Sequence, residues 1–233
     1  MAFQMIHMEI AYRLLQYLPQ VKHPAEFILG SVAPDAVHMA PDAVRLAADF
    51  DVTRKVQSHL FEDCGPWGDT QDYGRWEQNI SAFFEKNVAV ETEPVRRDFM
   101  LGIFVHCLTD RWNDLKIWRK AQRIYLPSVP LEEFKTVYYQ EYRRLDWWLY
   151  QNSEHRAKIC ALLAAAEVFS IDGLVDGKEL ESLRKYLLTV QYDVGKVDIT
   201  QNRFFTEKRI EDFMVFVIDE MKRICLTGKM MVR

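Results

Sequence analysis

Residues 95–122 are the most apolar helical stretch of the chain, and a segment of this kind has to lie inside a core. Pro94 suits the first turn of that helix, where its missing N–H costs nothing. Two polar residues, His106 and Asp110, sit in the middle of it with apolar neighbours on all sides. Four positions apart, they point from one face. Gly102, one turn earlier on the same face, leaves room for something to approach the backbone. Burying ionisable groups is costly unless they are paired or bind a metal, so two readings compete: a hydrogen-bonded His–Asp pair, or a pair of ligands.

The rest of the chain sets the surroundings. Helical spacing recurs at residues 6–18, 27–30, 52–61, 76–84, 131–150, 159–169, 179–190 and 206–226, with no sustained strand-like alternation and no internal repeat. Only 9 glycines and 8 prolines occur in 233 residues, below the averages of about 7% and 5%. A turn-rich β protein would need more. The pattern predicts one all-α domain spanning residues 1–233, with roughly eight to ten helices. Residues 159–169 are expected to be buried nearly all round, Thr206 to cap the last helix, and the aromatics of residues 138–150 to serve a core or an interface. The acidic loop 170–177 lacks the alternating oxygen ligands of a calcium hand and reads as a capped helix–helix turn.

A net charge of −4 without a long Lys/Arg block argues against an extended nucleic-acid surface. No apolar run approaches the ~18 residues of a membrane span, and residues 1–15 lack a basic leader. Four scattered cysteines with no C-x-x-C suggest a reduced, cytoplasmic protein without disulfides.

Other polar residues share the placement of His106 and Asp110. His7 lies on the face of Ala11, Leu14 and Leu18; Asp35 follows Pro34 directly after an apolar segment; His59 again has apolar neighbours. Each has an ordinary explanation, as a histidine bonded to a carbonyl or as a helix cap. Together they are the imidazole and carboxylate set that suits zinc, iron or manganese, and bundle cores build metal sites from inward groups on several helices.

The order His7, then Gly30-Ser31-Val32-Ala33-Pro34-Asp35, then Ser58-His59-Leu60, then Leu101-Gly102-Ile103-Phe104-Val105-His106-Cys107-Leu108-Thr109-Asp110-Arg111-Trp112 resembles the zinc-dependent phospholipase C family. That family shares a helical fold with the S1/P1-type nucleases, and the resemblance covers roughly the first half of the chain. It implies that Asp35, His59, His106 and Asp110 hold one metal and that His7 with the second oxygen of Asp110 contributes to another. It also implies a catalytic-base role for Asp35, a zinc cofactor of one or two ions, and hydrolysis of a small phosphodiester or phospholipid. Downstream, where secreted members carry a further histidine and a His-x-x-x-acid pair, this chain has only His155, with Ile159 four positions on. His38, Asp114 and His155 are candidates for additional ligands or for groups supporting the ligands, and Asp146 and Glu154 for replacements. Trp67, Arg75 and Trp76, in the loop after His59, are candidates for a substrate wall, against packing as the alternative for the two tryptophans. A non-catalytic helical scaffold with a structural metal is the competing function. An HD-type phosphohydrolase lacks its signature, because no His-Asp dipeptide occurs.

Overall fold

The computed structural model describes residues 3–40 and 50–227. Ten α-helices occur among them: α1 (Gln4–Leu14), α2 (Pro24–Gly30), α3 (Phe50–Ser58), α4 (Tyr73–Phe83), α5 (Pro94–Asn113), α6 (Arg119–Tyr125), α7 (Leu131–Asn152), α8 (Arg156–Ala165), α9 (Gly177–Thr189) and α10 (Glu207–Thr227). No β-strand is present among the described residues; a single bridge joins Ile171 to Val175. The protein is therefore all-α, and its buried apolar side chains form one continuous core. None of these helices is long and apolar enough to cross a membrane.

The apolar segment after Pro94 is the central helix. In α5 every residue from Asp98 to Asn113 is buried, so it has no solvent face. It does not run uniformly to residue 122. Wider, π-type turns occupy Asp114–Trp118 before α6 resumes, a common device where side chains at a helix end must be re-aimed. Residues 33–39 wind into a 3₁₀ helix beginning at Ala33 and Pro34.

What packs against Gly102 is α2. A Cβ on Gly102 would collide with the carbonyl oxygen of Phe27 and lie 2.8 Å from Gly30 Cα, and one on Gly30 would meet the Phe99 carbonyl. The two helices thus touch backbone to backbone at a pair of glycines, a separation closed to any larger residue. This contact carries the chain after α2, including Ser31 and Asp35, onto the His106 face of α5.

Helix α8 corrects the sequence reading. It ends at Ala165, and only Ile159 and Leu163 within it are buried, so it is a surface helix with a narrow apolar stripe. Its alanines are small enough to stand in water at little cost, which made the segment look uniformly apolar. The turn before α9 is capped as expected: Asp176 Oδ1 accepts from the N–H groups of Lys178 and Glu179 at 2.8 and 3.1 Å. Thr206 Oγ1 accepts from Arg209 N at 3.3 Å at the start of α10. In α7, Tyr138 and Tyr142 are core residues, with Tyr142 stacked on Phe205 at 4.3 Å, whereas Tyr139 is exposed.

Several buried carboxylates pin loops and helix ends by accepting backbone N–H groups. Asp98 takes those of Lys22 and His23 at 2.7 and 2.8 Å, and Glu141 those of Arg203 and Phe204 at 2.8 and 2.7 Å. Asp146 accepts from Met5 N at 2.8 Å, anchoring the first turn of α1, and from Tyr192 O–H at 3.1 Å. Burial raises the Asp146 carboxyl from its ordinary 3.8 to about 7, against the lowering effect of those hydrogen bonds.

Two outcomes follow from these contacts. Gly102→Ala should destabilise the fold by about 3 kcal/mol, the upper end of overpacking costs, because the obstruction is backbone that cannot turn aside; a denaturation midpoint equal to that of the native sequence would contradict the close contact. For Asp146, the folded state keeps its proton between about pH 4 and pH 7 while the unfolded chain releases it. The stabilisation from this group is therefore complete below that window and lost as pH rises through it. Asp146→Asn, which mimics the protonated acid, should gain stability relative to the native sequence between those limits in urea titrations, and parallel profiles would refute the shift.

Candidate metal centre

Four elements deliver the inward polar groups. Helix α1 presents His7, the 3₁₀ segment after α2 presents Asp35, the end of α3 leads into His59, and α5 presents His106 and Asp110. The side chains of all five are buried, although they span more than a hundred positions of chain.

The ring orientations are set from behind. His106 Nδ1 lies 2.8 Å from the Ser31 carbonyl oxygen, and His59 Nδ1 lies 3.0 Å from the Lys55 carbonyl and 2.9 Å from Ser58 Oγ. A carbonyl only accepts, so Nδ1 carries the proton in both rings and, in the neutral imidazole, Nε2 is left with its lone pair. That is the arrangement of a metal-ligating histidine held by a second interaction. The His59 backbone is itself held, since Trp76 Nε1 donates to its carbonyl at 2.9 Å.

The Nε2 atoms converge on two carboxylates. His7 Nε2 is 3.3 Å from Asp110 Oδ1; His59 and His106 Nε2 are each 3.5 Å from Asp110 Oδ2; and His59 Nε2 is 3.4 Å from Asp35 Oδ1. None of these nitrogens makes an aligned hydrogen bond, and neither does His7 Nδ1. The spacing is long for a direct charge-assisted bond, which favours about 2.7–2.9 Å. It matches the ~3.4 Å edge of a tetrahedron whose centre is ~2.1 Å from each donor, the geometry of zinc with nitrogen and oxygen ligands. Donor atoms of His7, Asp35 and His106, and likewise those of His59, His106 and Asp110, lie within 4.8 Å of one another. The residues present thus fit a divalent cation, and the two oxygens of Asp110 face different histidines.

The electrostatics show the same demand for positive charge. Burial pushes the Asp35 carboxyl up, but His59 and His106 outweigh it and hold it well below the usual carboxylate range. Burial also opposes ionisation of Asp110, yet the positive charges around it, those of the His106 and His7 imidazoles among them, hold it well below that range. His106 is raised by Asp110 and Asp35 despite its burial. His7 goes the other way, lowered first by burial and then by His106, whose ring it stacks against at a centroid distance of 3.8 Å. Two stacked imidazoles cannot both be charged cheaply.

The remaining candidates separate. His38 adjoins the centre, with Nε2 3.7 Å from Asp35 Oδ1. Trp67 stands edge-on to His59 at 5.2 Å, while Trp76 is buried against Phe61 and supports the His59 carbonyl, a packing role. Arg75 does not reach the centre: its guanidinium is exposed and pairs with Asp63 at 3.4 Å, because Asp72 starts α4 with Arg75 on the outer face. Asp114 accepts from Tyr73 O–H at 2.5 Å, outside the ligand cluster. His155 is held by Glu9 at 2.7 Å, beside Arg13 and Ser153, and lies outside the His/Asp cluster; Glu154 is exposed beside it. Asp146 anchors α1 instead of joining the centre.

Gln4 is the residue the sequence reading missed. Its Nε2 donates to Asp35 Oδ2 at 3.3 Å, and its position three residues before His7 on α1 was the available signal. The carbonyls of Ser31 and Lys55 left no side-chain trace to find. Comparisons of the chain with protein-family models, curated proteins and solved structures gave no match.

Proposed function

We propose that this protein is a metal-dependent phosphodiester hydrolase of the zinc-dependent phospholipase C type. The observation that carries the reading is the convergence of three imidazole nitrogens on two buried carboxylates at tetrahedral-edge spacing, with two of the rings tethered from behind. The order of those residues along the chain is the order in which the family's motifs occur. His59, His106, Asp35 and Asp110 would hold one cation, and His7 with the other oxygen of Asp110 would contribute to a second. Zinc is the proposed metal, and when bound it supplies a lowered water pKa, from 15.7 to about 7, and charge neutralisation at a phosphoryl oxygen.

The chain's own groups do the rest. Asp35 stays ionised and is held by Gln4 from one side and His38 from another, so its carboxylate is oriented to accept a proton from water. Asp110, pinned at the centre of α5, keeps the donor sets at a constant separation. Nδ1–H bonds to Ser31 and Lys55 stop the His106 and His59 rings from turning away. Burial of all five side chains keeps competing water from the donors.

A scaffold with a structural metal is the second reading, favoured by the diversion of His155 to Glu9, which leaves the downstream ligand positions of secreted relatives unfilled. Two measurements decide. Elemental analysis should find that His106→Ala loses divalent metal while His155→Ala keeps it, since removing one of about four ligands takes most of the affinity; retention by His106→Ala would end the metal reading. With an activated phosphodiester, Asp35→Asn should lower kcat about 10²-fold, and metal-loaded protein no more active than this variant would favour the scaffold.

A further inference from the structure

The centre is closed on most sides, and its approach is marked by Gln4 and His38. Both touch Asp35, and both line a cleft of about 910 Å³ bounded by the start of α1, the 3₁₀ segment, α7, α9 and the loop after α9. Two features of the lining point to a ligand. Arg143 on α7 stands in this cleft and makes no hydrogen bond or ion pair, and no acidic side chain lines the cleft, among the described residues. An arginine with no acidic side chain beside it among the described lining residues is a fork of donors that suits an anion. Beside it, Trp147, Tyr186 and Val190 form an aromatic and aliphatic wall, with Trp147 held by its Nε1 bond to the Gln191 carbonyl at 2.9 Å and with Tyr186 and Val190 exposed.

We propose that this cleft is the substrate channel, that Arg143 binds an anionic oxygen of the substrate, and that the Trp147–Tyr186 wall receives a flat or apolar ester arm. The proposal rests on the phosphodiesterase reading for the reaction but on the cleft alone for the binding. It names the substrate class as a small phosphodiester with one aromatic or acyl arm. A doubly polar diester such as a sugar–phosphate linkage would leave the wall uncovered and forgo its contribution.

The test uses metal-loaded full-length protein with bis(4-nitrophenyl) phosphate, whose nitroaryl arm quenches a tryptophan it lies against. Saturable quenching is expected in the native sequence and should fall in Trp147→Phe, with Trp67 beside His59 the source of what remains. Arg143→Gln should weaken the binding read by quenching, and raise KM, about tenfold to a hundredfold, the scale of one charge-assisted bond. Arg143 is exposed, so its loss leaves the fold intact. Saturable, Arg143-dependent quenching without hydrolysis would uphold the cleft and sink the hydrolase reading. Hydrolysis with KM indifferent to Arg143→Gln and quenching indifferent to Trp147→Phe would overturn the cleft and leave the hydrolase standing. Absence of both signals would overturn both.

Discussion

The backbone contact between Gly30 and Gly102 is the constraint on which the centre depends. Helix α5 is buried along sixteen consecutive residues, from Asp98 to Asn113, and gains its place in the core from apolar area. Apolar area alone does not specify how closely a second helix approaches. The two glycines do, by allowing α2 to lie against α5 without intervening side chains. From that closeness follow the 2.8 Å reach of His106 Nδ1 to the Ser31 carbonyl and the delivery of Asp35 to His59.

Buried carboxylates in this protein fall into two kinds, and their partners tell them apart. Asp98, Glu141 and Asp146 accept backbone N–H groups and hold loops or helix ends. They are satisfied structural anions or, for Asp146, a carboxyl raised by burial. Asp35 and Asp110 instead face imidazole nitrogens at distances too long for good hydrogen bonds and too regular for accidental packing. Burying two carboxylates together is unfavourable unless positive charge is supplied, and protonating the stacked His7 and His106 together is unfavourable as well. A divalent cation resolves both conflicts at once, which is the physical case for a metal here.

The same centre is asymmetric in its surroundings. On one side Trp67, Phe61 and Trp76 pack ring against edge and close it off. On the other, Gln4 and His38 connect Asp35 to a large cleft with no acidic side chain among its described lining residues. Asp114, His155 and Arg75 are diverted to Tyr73, Glu9 and Asp63 respectively, so neither the downstream residues nor the loop after His59 add charge to the ligand set.

Helical class and the five buried residues of the proposed ligand set were legible in the sequence because both rest on local chemistry: apolar spacing near 3.6 residues, few glycines and prolines, and ionisable groups beside apolar neighbours. His7, Asp35, His59, His106 and Asp110 each betrayed themselves by being polar where burial was expected. Helix α8 misled because alanine is apolar by type yet costs little in water, so composition could not report its exposure. Only the tertiary structure decided which of the remaining polar residues joined the centre. His155 and Asp146 have the right chemistry and a helical context, but whether an inward face meets the His/Asp cluster, a glutamate or a helix N-terminus depends on which element packs opposite, and that is a property of long-range contacts. The carbonyls of Ser31 and Lys55 that set the histidine tautomers, and the placement of Arg143 beside no acidic side chain among the described residues, belong to the same category: backbone atoms and spatial neighbours have no letter in a sequence.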